Sequence, residues 1–203
     1  MATSEEWYSN YDLYASSALV VNPFDSSIGT KFAVIISLVM QTIKTLGTEV
    51  HGQIFQNLRE YKDKGCFALT ELGHGSNVKG IKTTATFDPK TREFVLNTPS
   101  EDAMKFWIGG LAQTATVALV WAQLVVGDKS HGPHCFYVRV RNDKFETYTG
   151  VTIGDCGHKV GNNGIDNGFA IFENYRVPYE ALLNKVANVN ESGEYESPIK
   201  SDG

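Results

Sequence analysis

The stretch GCFALTELGHGSNVKG, residues 65–80, is where the chain changes character. Ahead of it apolar residues recur every three or four positions, and beyond it they alternate. Cys66, Phe67, Ala68 and Leu69 form a short apolar strand signal that turns polar at Thr70 and Glu71. Gly73, Gly75 and Gly80 follow, and a backbone with so little Cβ bulk can pass close to a ligand or take positive φ. Two readings stay open: a site-bearing loop leaving a strand, or a turn whose glycines serve only the bend.

Upstream, residues 28–46 carry Phe32, Ile35, Ile36, Val39, Met40 and Ile43 at three-and-four spacing, which predicts a helix buried over a wide face. Gly47 is its stop. Thr48 then caps a second helix over 49–62, with Val50, Ile54 and Leu58 on one side. The first 27 residues hold Trp7, Tyr8, Tyr11 and Tyr14 and a turn signal at Asn22-Pro23. The apolar run 32–40 is too short to span a bilayer and reads as a core helix, so no membrane span is expected.

Downstream, residues 81–97 predict a β-hairpin around Asp88-Pro89-Lys90-Thr91, with proline at the second position of a type I turn. Residues 114–126, 133–140, 151–153 and 168–172 read as further strands with Gly-rich turns between them. In 178–189, Leu182, Leu183 and Val186 at helical spacing behind Pro178 predict a helix. The expected fold class is therefore α+β, a central antiparallel β-barrel or sandwich flanked by helices. Its expected division is 1–64 helical, 65–177 β, and 178–203 the start of another helical domain, so that the chain reads as cut at both ends.

A formal charge of −5, from 18 Lys+Arg against 23 Asp+Glu without long runs of one sign, lacks the footprint of a nucleic-acid binder. Cys66, Cys135 and Cys156 are odd in number and widely spaced, a poor disulfide framework. Ser4-Glu5-Glu6 after Met1 predicts no secretory signal, and Ser201-Asp202-Gly203 is not a peroxisomal address. His131 and His134 with Cys135 tempt a zinc reading, but no second pair of ligands is in sight and no metal site is expected. The Gly-rich loop fits neither a GxSxG elbow nor a P-loop. A second cluster, Phe106-Trp107-Ile108-Gly109-Gly110, reads as a packed strand end or, together with residues 65–80, as a platform for a flat aromatic ligand.

Three segments together, CFALTELGHGSNVKGIKTTATFDPKTREFVLNTP, KFWIGGLAQTA and GDCGHKVGNNGIDNGFAIFENYRVPYEALLN, closely resemble the acyl-CoA oxidases of peroxisomal β-oxidation, within the acyl-CoA dehydrogenase superfamily. The resemblance covers nearly the whole chain. It implies an FAD-dependent oxidase that converts fatty acyl-CoA to trans-2-enoyl-CoA and reduces O2 to H2O2, a homodimer at full length, and residence in the peroxisome. It further implies that Leu69 and Thr70 hydrogen-bond the flavin, that Gly75 and Ser76 form the turn beside cofactor and acyl-CoA, and that Trp107, Ile108 and Gly109 flank the isoalloxazine. At the place of Gly109 the dehydrogenase branch usually has a hydroxyl residue. The glutamate that removes the α proton belongs to a later helical domain in that family, so no catalytic residue is assigned here. The alternative is a catalytically inactive truncated form that acts as a binding module.

Overall fold

The computed structural model describes residues 10–198, so Trp7, Tyr8 and residues 201–203 lie outside the described part. Three helices come first. α1, Tyr11–Val21, is capped by the Asn10 side chain accepting from the Leu13 N–H. α2, Ser26–Leu46, starts at Asp25, whose carboxylate accepts from the Ser27 N–H, and loosens into a π-helical segment at Val34–Met40. It stops at Gly47, where a Cβ would sit 2.5 Å from the Ile43 carbonyl oxygen. Thr48 is the expected cap: its N–H donates to His51 Nδ1, and a single 3-10 turn at Glu49–His51 leads into α3, Gly52–Arg59.

α2 begins two residues ahead of the expected 28–46 and ends where expected, and by length and composition alone it could cross a bilayer. Its inward side is engaged otherwise. Val39, Met40 and Ile43 pack with Leu58 against Val117, Leu119, Cys135 and Tyr137 on a β-sheet.

That sheet has six strands: β1 (Gly65–Ala68), β2 (Thr84–Asp88), β3 (Glu93–Asn97), β5 (Val117–Val126), β6 (Lys129–Arg139) and β9 (Tyr175–Pro178). A second sheet orders β4 (Lys105–Gly109), β8 (Asn167–Phe172) and β7 (Val151–Asp155). The main core lies between the two, built from Phe87, Phe94, Leu96, Val120, Ile108, Ala170 and Phe172. β5 shows why the layers hold. Val117 and Leu119 face the helices while Ala118 and Val120 face the sandwich, as a period-2 strand buried on both faces requires.

Two expectations change. The large sheet is mixed, because β1 and β2 both run parallel to β5. They lie one after the other along the same edge, β1 beside residues 117–120 and β2 beside 123–125. The chain between them, 69–83, leaves that edge and returns to it in the same direction; alternation reveals a strand but not its partner's direction. The helix expected over 178–189 is a single 3-10 turn, Tyr179–Ala181, followed by the two-residue strands β10 (Asn188–Val189) and β11 (Tyr195–Glu196), paired as a hairpin. Leu182 enters the sandwich core and its neighbour Leu183 the helix-side cluster. Adjacent residues buried on opposite faces demand extended chain.

Helix layer and sheet come close at Gly65, where a Cβ would lie 2.7 Å from Val39 Cγ1 and 3.0 Å from Leu58 Cδ2. Gly65→Ala should therefore cost about 1–3 kcal/mol by overpacking, read as a lower urea midpoint at unchanged m-value. An unmoved midpoint would mean that α2 and α3 yield freely.

Candidate functional site

The excursion 69–83 is closed at its neck by one side chain. The Glu71 carboxylate accepts the N–H groups of Lys82, at 2.7 Å, and Thr83, at 2.9 Å. Lys105 Nζ, from β4 of the other sheet, donates to Glu71 Oε1 at 3.0 Å and to the Leu69 carbonyl at 3.1 Å. Both side chains of this ion pair are fully shielded from solvent. Burial pushes the Lys105 ammonium down to about 8 even though Glu71 pulls it up. Burial raises the Glu71 carboxyl, but Lys105 and the hydrogen bonds from Thr83 and Lys82 outweigh it and leave it below its ordinary 4.5. At neutral pH the pair is charged.

Backbone hydrogen bonds continue the seam. The Phe106 N–H donates to the Thr70 carbonyl at 3.0 Å, Leu72 N–H to Met104 at 3.0 Å, and Gly73 N–H to Asp102 at 2.8 Å. Loop 65–80 and the cluster 106–110 are thus joined side by side, although neither contains the lysine that clamps them. The Leu69 and Thr70 carbonyls each already accept a bond from within the protein. Gly75 and Ser76 lie on an exposed turn, and a Cβ on Gly75 would meet nothing within 4 Å. In the same turn His74 Nε2 is buried without a hydrogen-bond partner.

On β4 a register shift between Lys105 and Ile108 sets Trp107 apart. Its backbone is left-handed, φ 64°, its carbonyl accepts from Asn167 Nδ2 at 3.1 Å, and its indole is 53% exposed. A bulky residue in that conformation is strained, and a bulge is a common means of aiming a side chain. Ile108 turns the other way, its side chain in the sandwich core, so only its backbone can meet a ligand. Gly109 has no positive φ, and a Cβ there would make ordinary contacts with Ile165 Cγ2 at 3.5 Å and Val34 Cγ2 at 3.8 Å. The space beside it is real.

The loop after Gly110 is clasped from two sides. Arg141, buried, donates to the carbonyls of Leu111, Ala115 and Ala112 at 2.8, 2.7 and 2.6 Å. The Asp166 carboxylate accepts the N–H groups of Gln113 and Thr114, both at 2.8 Å. None of Lys105, Arg141 and Asp166 stands out in the sequence, since each reaches its partners across dozens of residues. His131 and His134 belong to a different cluster: the His131 ring stacks on Tyr195 at 3.9 Å, and His134 Nδ1 lies 3.0 Å from the Gly132 carbonyl oxygen. Among the described residues no group of three or more His, Cys, Asp or Glu could hold a metal ion.

Comparison with known proteins bears on this geometry. Residues 66–175 match the family described as "Acyl-CoA dehydrogenase, middle domain". Peroxisomal acyl-coenzyme A oxidase 3 of Arabidopsis thaliana is 47% identical over 178 residues, which is 87% of this chain and 26% of that protein. Acyl-CoA oxidase 3 from Yarrowia lipolytica superposes with a TM-score of 0.90 at 35% identity, over 98% of this chain and 30% of that one. Caenorhabditis elegans acyl-CoA oxidase 2, solved with FAD, ascaroside-CoA and ATP, has a TM-score of 0.80 at 37% identity, over 84% of this chain and 26% of that one. The chain spans about a quarter of the length of the curated relatives it matches.

Three substitutions separate the role of the ion pair from that of the indole. Glu71→Gln leaves Lys105 buried without its counter-charge and should cost about 3–5 kcal/mol, part of which Lys105→Met added to it recovers. The pH dependence should change with it. Wild type loses the Glu71 contribution as pH falls below 4.5 through the lowered folded value. The single variant lacks that acid loss, and it gains stability with rising pH over a window that opens below the wild-type lysine's 8 and closes at 10.5. Urea midpoints across pH read both. Trp107→Gly, which relieves left-handed strain at an exposed position, should be neutral or stabilising by about 1 kcal/mol; a marked loss would show that the indole supports the fold.

Proposed function

The chain belongs to the acyl-CoA dehydrogenase family, among its acyl-CoA oxidases, and from that premise we propose that it forms the flavin-side portion of an FAD-dependent acyl-CoA oxidase. The reaction is α,β-dehydrogenation of a fatty acyl-CoA to the trans-2-enoyl-CoA, with O2 reduced to H2O2. Peroxisomal residence and homodimerisation of the whole protein belong to the same proposal. When bound, FAD would supply the acceptor for the hydride lost from the β carbon and the route for its electrons to O2, with Leu69, Thr70, Trp107 and Gly109 as the residues that would hold its ring.

The observation that carries the reading is Trp107: an exposed indole held in a strained backbone two residues before Gly109, which has no side chain, and tied through Phe106 to Thr70. A flat ring system wants such a face and a close backbone. Leu69, Thr70, Trp107, Ile108 and Gly109 line the proposed flavin edge, Ile108 through its main chain, and Gly75 and Ser76 border cofactor and substrate. The unpartnered His74 Nε2 in that turn fits a polar ligand nearby. Glu71 is no candidate for the proton-abstracting base. It is 2% exposed, and its carboxylate is occupied by two N–H groups and Lys105.

Gly109 is proposed to leave the gap through which O2 reaches the reduced cofactor. A Cβ meets only ordinary contacts there, and Gly109→Thr in the flavin-loaded enzyme should slow reoxidation by O2 in stopped-flow, with circular dichroism matching wild type as the check on its fold. An unchanged reoxidation rate would remove that role.

A second reading, a catalytically silent binding module, draws on the exposed apolar side chains of Leu19, Val20 and Phe24, the last 89% exposed. Flavin titration of the purified chain, followed by indole quenching, separates the two. Weak but saturable binding that Trp107→Gly abolishes supports the oxidase reading. Colourless protein that self-associates without binding flavin selects the module.

A further inference from the structure

Lys105 pairs with Ala170 and Ile108 with Gly168, so β4 takes one more step than β8 over the same span. The extra residue makes a bulge, and Trp107 has its positive φ there. Crowding at Cβ makes that conformation about five- to thirtyfold rarer than its alternatives for a residue other than glycine. It persists only where neighbours impose it. The Trp107 carbonyl, in the peptide that follows the strained residue, accepts a hydrogen bond from Asn167 Nδ2 at 3.1 Å. A carbonyl only accepts, so the amide nitrogen is the atom that must face it.

Asn167 is itself immobile. It is buried, it stands opposite Gly109 in the β4–β8 register, its N–H donates to the Ile165 carbonyl at 3.1 Å, and its carbonyl accepts the Cys156 N–H at 2.9 Å. Its neighbours fix the chain beyond Trp107. The Asp166 carbonyl accepts the N–H groups of Gly110 at 3.0 Å and Ala112 at 3.3 Å. At Gly168 the two segments close up, since a Cβ there would stand 2.6 Å from the Ala112 nitrogen.

We propose that Asn167 is a positioning residue, whose amide holds Trp107 left-handed and so keeps the indole turned outward as a face for a flat ring. The inference rests on the flavin reading for the identity of that ring. Asn167 acts through Trp107. Without the amide donor, residue 107 spreads over commoner conformations, and the apparent affinity for the ring falls in proportion to the fraction that still presents the indole.

The test starts without flavin. Isotope-labelled tryptophan gives the 203-residue chain an indole N–H signal from each of its three tryptophans, and the Trp107 signal is the one that Trp107→Gly removes. In Asn167→Ala that signal should shift or broaden, while Trp121, packed in the helix-side cluster, keeps its own. Asn167→Asp, which keeps the shape and loses the donor, should do the same, and circular dichroism shows which variant retains the wild-type fold. An unmoved Trp107 signal in a folded variant overturns the hold. Joint movement of Trp107 and Trp121, or loss of the fold in both variants, overturns it as well, because Asn167 is then part of the general framework. FAD titrated onto the same proteins should bind the folded variant about tenfold more weakly than wild type, and equal affinity overturns the link to the ligand. A displaced Trp107 signal with wild type that fails to bind FAD removes the oxidase reading and leaves the hold on the indole; an unmoved signal with saturable FAD binding does the reverse.

Discussion

The buried pair of Glu71 and Lys105 is the constraint on which the rest of the site depends. One carboxylate closes the neck of a loop that interrupts an otherwise continuous sheet edge, and one ammonium staples that neck to the second sheet. A charge taken out of water is tolerated only when its partner and its remaining hydrogen-bonding sites are all satisfied. Glu71 meets that condition with three donors from two elements, so the loop and β4 hold one geometry. An apolar plug could fill the same volume, but it could not hold the two N–H groups of Lys82 and Thr83 or fix the neck.

From that staple the surrounding architecture follows. β5 is buried on both faces because helices cover one side and the second sheet covers the other, and it offers the same edge to β1 and then to β2. The loop between those strands has nowhere to go but outward. His51 locks the helix layer to the far end of the chain: its Nδ1 accepts the Thr48 N–H, which leaves Nε2 protonated and facing the carbonyl oxygens of Glu180 and Leu182, each 3.1 Å away. On the surface that this frame presents, Trp107, one of several non-glycine residues with positive φ, is held left-handed beside Gly109, where a Cβ would make only ordinary contacts. Rigid support beneath a strained, exposed aromatic is the arrangement expected of a ligand platform.

Much of the fold is legible in the residues themselves. Three-and-four spacing marks α2, Gly47 and Thr48 mark its end and the next start, and the proline turn at 88–91 marks the hairpin of β2 and β3, because these signals act within a few residues of their cause. The resemblance to acyl-CoA oxidases is carried by contiguous motifs, and the family match rests on the same stretch. Of the candidate site, the sequence singles out the Gly-rich loop and the Phe106 to Gly110 cluster as two pieces. It offers no reason why they should be neighbours, since Lys105 and Glu71 are far apart in the chain and unremarkable in type.

What the sequence by itself determined is where α2, α3 and most of the strands lie and which family the motifs belong to, both being consequences of local periodicity, turn chemistry and contiguous matching. Tertiary structure alone decided the parallel course of β1 and β2, the extended path of Leu182 and Leu183 where helical spacing suggested a helix, and the left-handed Trp107. Each of these is settled by a partner brought from a distant part of the chain, and the free energy of burying or pairing against such a partner exceeds any preference the residues hold alone.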